Sequence, residues 1–155
     1  MNDGGTWTIR PLKTAIETGQ MDHIQLLLEH GASIDEELCY TLRMPTTRKW
    51  TPDMRRSIVR LLLDKGATVA PFVESRLRRR FSRTVPSIQA VQLDDEEIVR
   101  LLLAAGADIK LKDSHGRTAM YHAKKAGASS IIKLLEQAND GASLRWYQWR
   151  RPQRL

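Results

Sequence analysis

Hydrophobic positions along the chain repeat one figure, a β-branched pair or single isoleucine followed by a run of leucines. The clearest copy is Ile98-Val99-Arg100-Leu101-Leu102-Leu103-Ala104-Ala105-Gly106-Ala107-Asp108. Earlier copies are Ile24-Gln25-Leu26-Leu27-Leu28-Glu29-His30-Gly31-Ala32 and Ile58-Val59-Arg60-Leu61-Leu62-Leu63-Asp64-Lys65-Gly66-Ala67, and a worn one follows at Ile131-Ile132-Lys133-Leu134-Leu135. With the first leucine of each as marker (26, 61, 101, 134), the spacings are 35, 40 and 33 residues. Self-similarity at that period indicates stacked two-helix units. Apolar residues at 98, 99, 101, 102 and 103 cover more than half of a helix circumference, which predicts a helix packed on several sides. Gly31, Gly66 and Gly106 each follow the last leucine by three residues, where a left-handed residue ends a helix at little steric cost, and Asn139 holds that place in the last copy.

A shorter helix precedes each leucine helix. In the first unit, Ile9 to Ile16 forms it, with Pro11 in a first turn where its missing N–H costs nothing. In the second, Leu38 to Leu42 forms it, and residues 45–52, with two prolines and three threonines, read as an inserted loop before a helix capped by Asp53. The third unit carries its excess ahead of the short helix: Val73, Leu77 and Phe81 stand at i, i+4 and i+8, predicting an added helix over 71–81. Pro86 to Val91 is then the short helix, with Asp94 as cap of the leucine helix and Glu97 as its capping-box partner. In the fourth unit Asp113 to Gly116 is a turn, and Thr118 caps the helix behind it.

These residues resemble the ankyrin repeat family. Its G-x-T-P-L-H-x-A-A motif is similar to Gly116-Arg117-Thr118-Ala119-Met120-Tyr121-His122-Ala123-Lys124, and more loosely to Arg10–Ile16 and Val85–Val91. Its V-V-x-L-L-L-x-x-G-A-D segment is similar to the four leucine copies. The resemblance implies an all-α, ankyrin-type solenoid of stacked helix-turn-helix repeats with short hairpin loops and two insertions. The units fall at about 6–35, 36–69, 70–108 and 109–140, with 141–155 as a basic aromatic tail or cap. Tyr121, Lys13 and Ile88 stand where the motif has His, which predicts weaker Thr/His bracing of the hairpins; the second hairpin is expected to be truncated.

Composition adds less than pattern. At 155 residues with 41% apolar content the chain is one domain, no run approaches a membrane span, and the polar start Met1–Gly5 is unlike a signal peptide, so an intracellular location is expected, cytoplasmic or nuclear. The single Cys39 leaves no internal disulfide and no cysteine-rich zinc site. The net charge of +7 lies in the second half, since residues 1–69 hold nine basic and nine acidic residues and residues 70–155 hold sixteen and nine.

The resemblance implies protein binding through a concave face of hairpins and inner helices, by an adaptor or inhibitor. Carried onto this chain, that face comprises Trp7, Ile9, Glu17, Thr18, Thr84, Gln92, Leu93, Ser114, His115, Arg117, Lys125 and Ala126, with Trp7 and Arg117 having the chemistry of interface anchors. A second candidate is nucleic-acid or anionic-surface binding by Arg76, Arg78, Arg79, Arg80 and Arg83, helped by Trp146, Tyr147 and Trp149 among the tail arginines. A third is a small-molecule pocket, binding or catalytic, roofed by the insertions at 45–52 and 71–81 and lined by Tyr40, Trp50, Arg76 and Arg80. No nucleophile elbow, phosphate loop or dinucleotide motif appears, and the four histidines (23, 30, 115, 122) lack metal-ligand spacing, so no catalytic residue, metal or cofactor is expected.

Overall fold

A computed structural model describes residues 11–34, 37–45, 50–70, 72–73 and 83–139. Among these residues the chain forms eight helices and one two-rung antiparallel ladder: α1 (Pro11–Thr18), α2 (Met21–Glu29), α3 (Glu37–Arg43), α4 (Pro52–Asp64), β1 (Phe72–Val73), β2 (Arg83–Thr84), α5 (Pro86–Gln92), α6 (Glu96–Ala104), α7 (Ala119–Ala126) and α8 (Ser129–Asn139). Consecutive helices pack as pairs. The first members, α1, α3, α5 and α7, stack in that order as one layer, while α4, α6 and α8 stack as a second. This is an ankyrin-type α-solenoid.

The layers are held by one pattern repeated four times. Ile24, Ile58, Ile98 and Ile131 are at most 1% exposed, and so are Leu62, Leu102 and Leu135, with Leu28 at 7%. Each isoleucine stands four residues before its leucine, one turn along the same helix face, so every second helix offers the same pair to the shared core. The buried register therefore aligns Leu27, not Leu26, with Leu61 and Leu101. Leu26 is 52% exposed. The first members contribute Leu12 and Ile16, Leu38 and Leu42, Ile88 and Val91, then Ala119 and Ala123. Trp50 joins the same core.

Helix ends follow local chemistry, with several shifts from the sequence expectations. α4 is capped by Thr51, whose hydroxyl accepts the Met54 N–H at 3.2 Å, while Asp53 lies inside the first turn and pairs with Arg56. α6 is capped by Asp95, 3.2 Å from the Ile98 N–H, rather than by Asp94. Asp94 instead takes φ 53°, a left-handed conformation that short polar side chains tolerate. Glu97 forms no capping box because the cap has moved by one residue; it pairs with Arg60. After Gly66 (φ 90°) and Gly106 (φ 87°), the next N–H returns to a carbonyl five residues back, closing the helix end. Asn139 does not repeat this: it is still the last residue of α8.

The added helix expected over 71–81 is corrected at its start. Phe72 and Val73 are extended and pair with Thr84 and Arg83, in keeping with the strand preference of aromatic and β-branched residues. Residues 74–82 lie outside the described residues, as do 46–49 of the other insertion. Residues 30–36 alone join α2 to α3, against 105–118 between α6 and α7, so the second hairpin is short, as expected. No described helix is long and apolar enough to cross a membrane.

Leu102→Ala is expected to cost about 3 kcal/mol by emptying a closed core position. Leu26→Ala, in the same figure but facing solvent, should change stability by less than about 0.5 kcal/mol. Chemical denaturation of the two variants checks the assigned register.

Candidate interaction face

One side of the layer formed by α1, α3, α5 and α7 is open to solvent. The exposed residues there follow from the buried ones. In α1, burial of Leu12, Ala15 and Ile16 leaves Thr14, Glu17 and Thr18 outside. In α3, burial of Leu38, Thr41 and Leu42 leaves Arg43 exposed and Tyr40 half-buried. In α5 the corresponding outward positions are Gln89 and Gln92, 3.2 Å apart through their amides, and in α7 they are Lys124, Lys125 and Ala126. The joining segment 105–118 adds Ser114 and His115, exposed, and Arg117, half-buried.

Tyr40 ties the first unit to the second. Its hydroxyl donates to the Glu17 carboxylate, and the Lys13 ammonium lies 4.5 Å from its ring centroid, within cation–π range. Partial burial, then the Glu17 acceptor and the charges of Glu17 and Glu37, push the Tyr40 phenol up to about 12. Tyr40 thus stays a neutral donor on this face.

Asp113 organises the last joining segment. Its Oδ1 accepts the backbone N–H groups of His115 at 2.8 Å and Arg117 at 3.0 Å; its Oδ2 lies 3.1 Å from Arg117 Nε and 3.0 Å from His122 Nε2. Burial opposes the charge, but the Arg117 N–H, the His122 ring, the His115 N–H and the Arg117 guanidinium outweigh it and hold the carboxyl well below the usual carboxylate range. Arg117 also reaches His115 Nδ1 at 3.0 Å and stands 5.9 Å from the Tyr121 ring centroid. The bracing expected to weaken with Tyr121 in the motif's His place is supplied by the next residue, His122.

On the opposite layer, Arg56 grips Asp95 with Nε 2.9 Å from Oδ2 and 3.1 Å from Oδ1, and Arg60 meets Glu97 at 2.7 Å. Arg55, buried beside them, donates to the Met44 carbonyl; burial lowers its pKa, and the Asp95 charge acts the other way. These pairs join residues 39 and 37 apart, close to one repeat period, which is the signal that could have revealed them in the sequence.

Of the residues singled out from the sequence, Glu17, Thr18, Gln92, Lys125 and Ala126 are exposed on one layer, and Leu93 is half-buried after α5. Ser114, His115 and Arg117 sit together on the segment preceding α7. Trp7, Ile9, Arg76, Arg78, Arg79 and Arg80 lie outside the described residues, as does the tail, and for Thr84 and Arg83 only the backbone ladder is described. Trp50, 4% exposed, is a core side chain, and Tyr40, packed partly against the same core, donates to Glu17. The described residues do form an open groove of about 320 Å³, but it lies at the first unit, lined by Pro11, Thr14, Ala15, Gln20, His23, Leu26 and Leu27. Among the described residues no cluster of three or more His, Cys, Asp or Glu could hold a metal. The sequence missed Arg43 and the Asp113–His122 brace.

The family profile described as Ankyrin repeat matches residues 86–114, which run from the start of α5 to the turn before α7. The chain belongs to the ankyrin repeat family. This ankyrin-repeat chain is 30% identical over 130 residues to the Ankyrin repeat protein nuc-2 of Neurospora crassa, covering 83% of this chain and 11% of that protein. It is 29% identical over 107 residues to the human Ankyrin repeat and SOCS box protein 6, covering 69% and 25%. It is also 35% identical over 63 residues to the Interferon antagonist OPG040 of Vaccinia virus, covering 41% and 22%. The chain thus spans a quarter or less of the length of these relatives. Ankyrin repeats generally mediate protein–protein interaction.

Replacing Asp113 by Ala should cost about 2 kcal/mol near neutral pH, because an ionised acceptor of several hydrogen bonds is lost. The carboxyl is depressed in the folded state, so its contribution is fully present above the unfolded value of about 4 and disappears as pH falls below it. The gap between the denaturant midpoints of wild type and Asp113→Asn should therefore be constant above about pH 5 and narrow steadily as the pH falls from about 4 toward the depressed folded-state value.

Proposed function

We propose that this chain is a non-catalytic interaction module, of adaptor or inhibitor type, that holds a protein partner against the concave side formed by α1, α3, α5, α7 and the segments leading into them. The observation that supports this reading is that Glu17, Arg43, Gln92 and Lys125 are exposed, and Tyr40 half-buried, on four successively packed helices. A partner laid along that line meets every unit at once. A contact patch spread over four rigid helices is organised before binding, which limits the ordering cost of association. The opposite layer is differently made: Arg56, Arg60, Asp95 and Glu97 there are engaged in pairing one unit to the next. The name of one relative, an interferon antagonist, is in keeping with an inhibitor. Within the proposal, the units run at about 6–35, 36–69, 70–108 and 109–140 along a single domain, and the side chains that meet the partner are those of Glu17, Thr18, Gln92, Leu93, Ser114, His115, Arg117 and Lys125.

A photo-crosslinking residue placed at Gln92 or at Lys125 should capture a partner protein from cell extract, and one placed at Arg100 or Lys133 should not. Gln92→Trp, which adds bulk mid-face without touching the core, should weaken that partner's binding by about tenfold or more, a loss of roughly 1.4 kcal/mol. Crosslinks confined to Arg100 and Lys133, with binding indifferent to Gln92→Trp, would overturn the assignment of the face.

A further inference from the structure

The first pair of the array and its last joining segment with α7 carry opposite charge balances. The first pair, α1 and α2, carries Lys13 against Glu17, Asp22 and Glu29. The last joining segment and α7, residues 105–126, carry Lys110, Lys112, Arg117, Lys124 and Lys125 against Asp108 and Asp113. Of the two carboxylates at that end, Asp113 is half-buried and accepts the N–H groups of His115 and Arg117, while Asp108 is exposed and accepts the Lys110 N–H at 2.8 Å. The four lysines there are exposed, as are His115 and Tyr121, the latter 48% so. What this end presents to a partner is therefore cationic. Arg117, braced by Asp113 at 3.1 Å and flanked by Tyr121, is held in one orientation rather than swinging freely.

On the reading that the concave side binds protein, we propose that the partner contributes an acidic segment, rich in Asp and Glu, which seats its carboxylates on Arg117, Lys112 and Lys125 at the fourth unit. The segment then runs toward the first unit, where Glu17 disfavours further carboxylates. Four features support a peptide of this chemistry. The cations outnumber the anions at this end, both anions accept the chain's own N–H groups, a fixed guanidinium offers a carboxylate paired hydrogen bonds, and an exposed tyrosine adds apolar contact. Complementary charge also sets the partner's direction along the groove, since the reversed pose would place carboxylates against Glu17.

The test is selection from a displayed library of random peptides against the whole chain, followed by titration of the selected peptides at low and high salt. Acid-rich sequences are expected, with affinity falling as salt rises. Their affinity should fall about tenfold or more with Arg117→Gln/Lys125→Glu and equally with Lys112→Glu/Lys125→Glu, which leaves the Asp113 brace intact; it should be unchanged by Lys133→Glu on α8. Neutral or basic binders that Gln92→Trp still blocks would overturn the acidic segment and leave the concave-side reading standing. Binders indifferent to every inner-layer variant would overturn both. An empty selection, or a single-stranded oligonucleotide that displaces the peptides and binds more tightly through the same lysines, would likewise sink the proposal.

Discussion

The constraint on which this fold depends is that an isolated helix pair cannot bury its own apolar face. Ile98 and Leu102 are closed off only because α4 lies on one side of α6 and α8 on the other. Repeating the isoleucine–leucine pair at 24/28, 58/62, 98/102 and 131/135 turns four insufficient cores into one continuous core. The first helices of the pairs then have little freedom. They must lie against the same column, which lines up their outer sides and makes a common surface of them.

Polar contacts refine this stacking and do not drive it. Asp95 shows how: one buried carboxylate caps α6 through Ile98 N–H and accepts Arg56 from α4, so the start of one helix is pinned to the flank of its neighbour. Truncating either partner leaves the other's hydrogen-bonding groups without that bond in a half-dry place, which is where such pairs exert their largest effect. Asp113 does the same for the segment before α7, turning a short loop into a fixed platform for Arg117 and His115. The exposed surface and the buried column are thus connected through a few carboxylates.

Much of the architecture was legible because apolar spacing is a direct consequence of helix geometry. Four leucine runs and their glycines appear in the sequence as they stand in the fold. The cap residues at 51/53 and 94/95 were displaced because each start offers two neighbouring side chains able to accept an N–H, and only the path of the backbone decides between them. Val73 was read into a helix because its spacing with Leu77 and Phe81 suits one; the pairing of Phe72 and Val73 with Thr84 and Arg83 is a non-local contact that periodicity cannot express. Tyr40 was noticed for the wrong neighbours: Glu17 and Lys13 reach it only once α1 and α3 lie side by side. The proposed binding side follows from the family motif, whereas its charge balance emerged only once Asp113 was seen half-buried and bonded to its own segment.

The Tyr40 junction has a consequence of its own. α2 scarcely touches α4, and α1 meets α3 over a small area, so beside the shared apolar core the first pair is joined to the rest by a phenol, a carboxylate and an ammonium. Every later pair is joined through both layers. The leading pair is accordingly the most lightly fastened link of the array, and the Tyr40 contact is the polar clasp at that link.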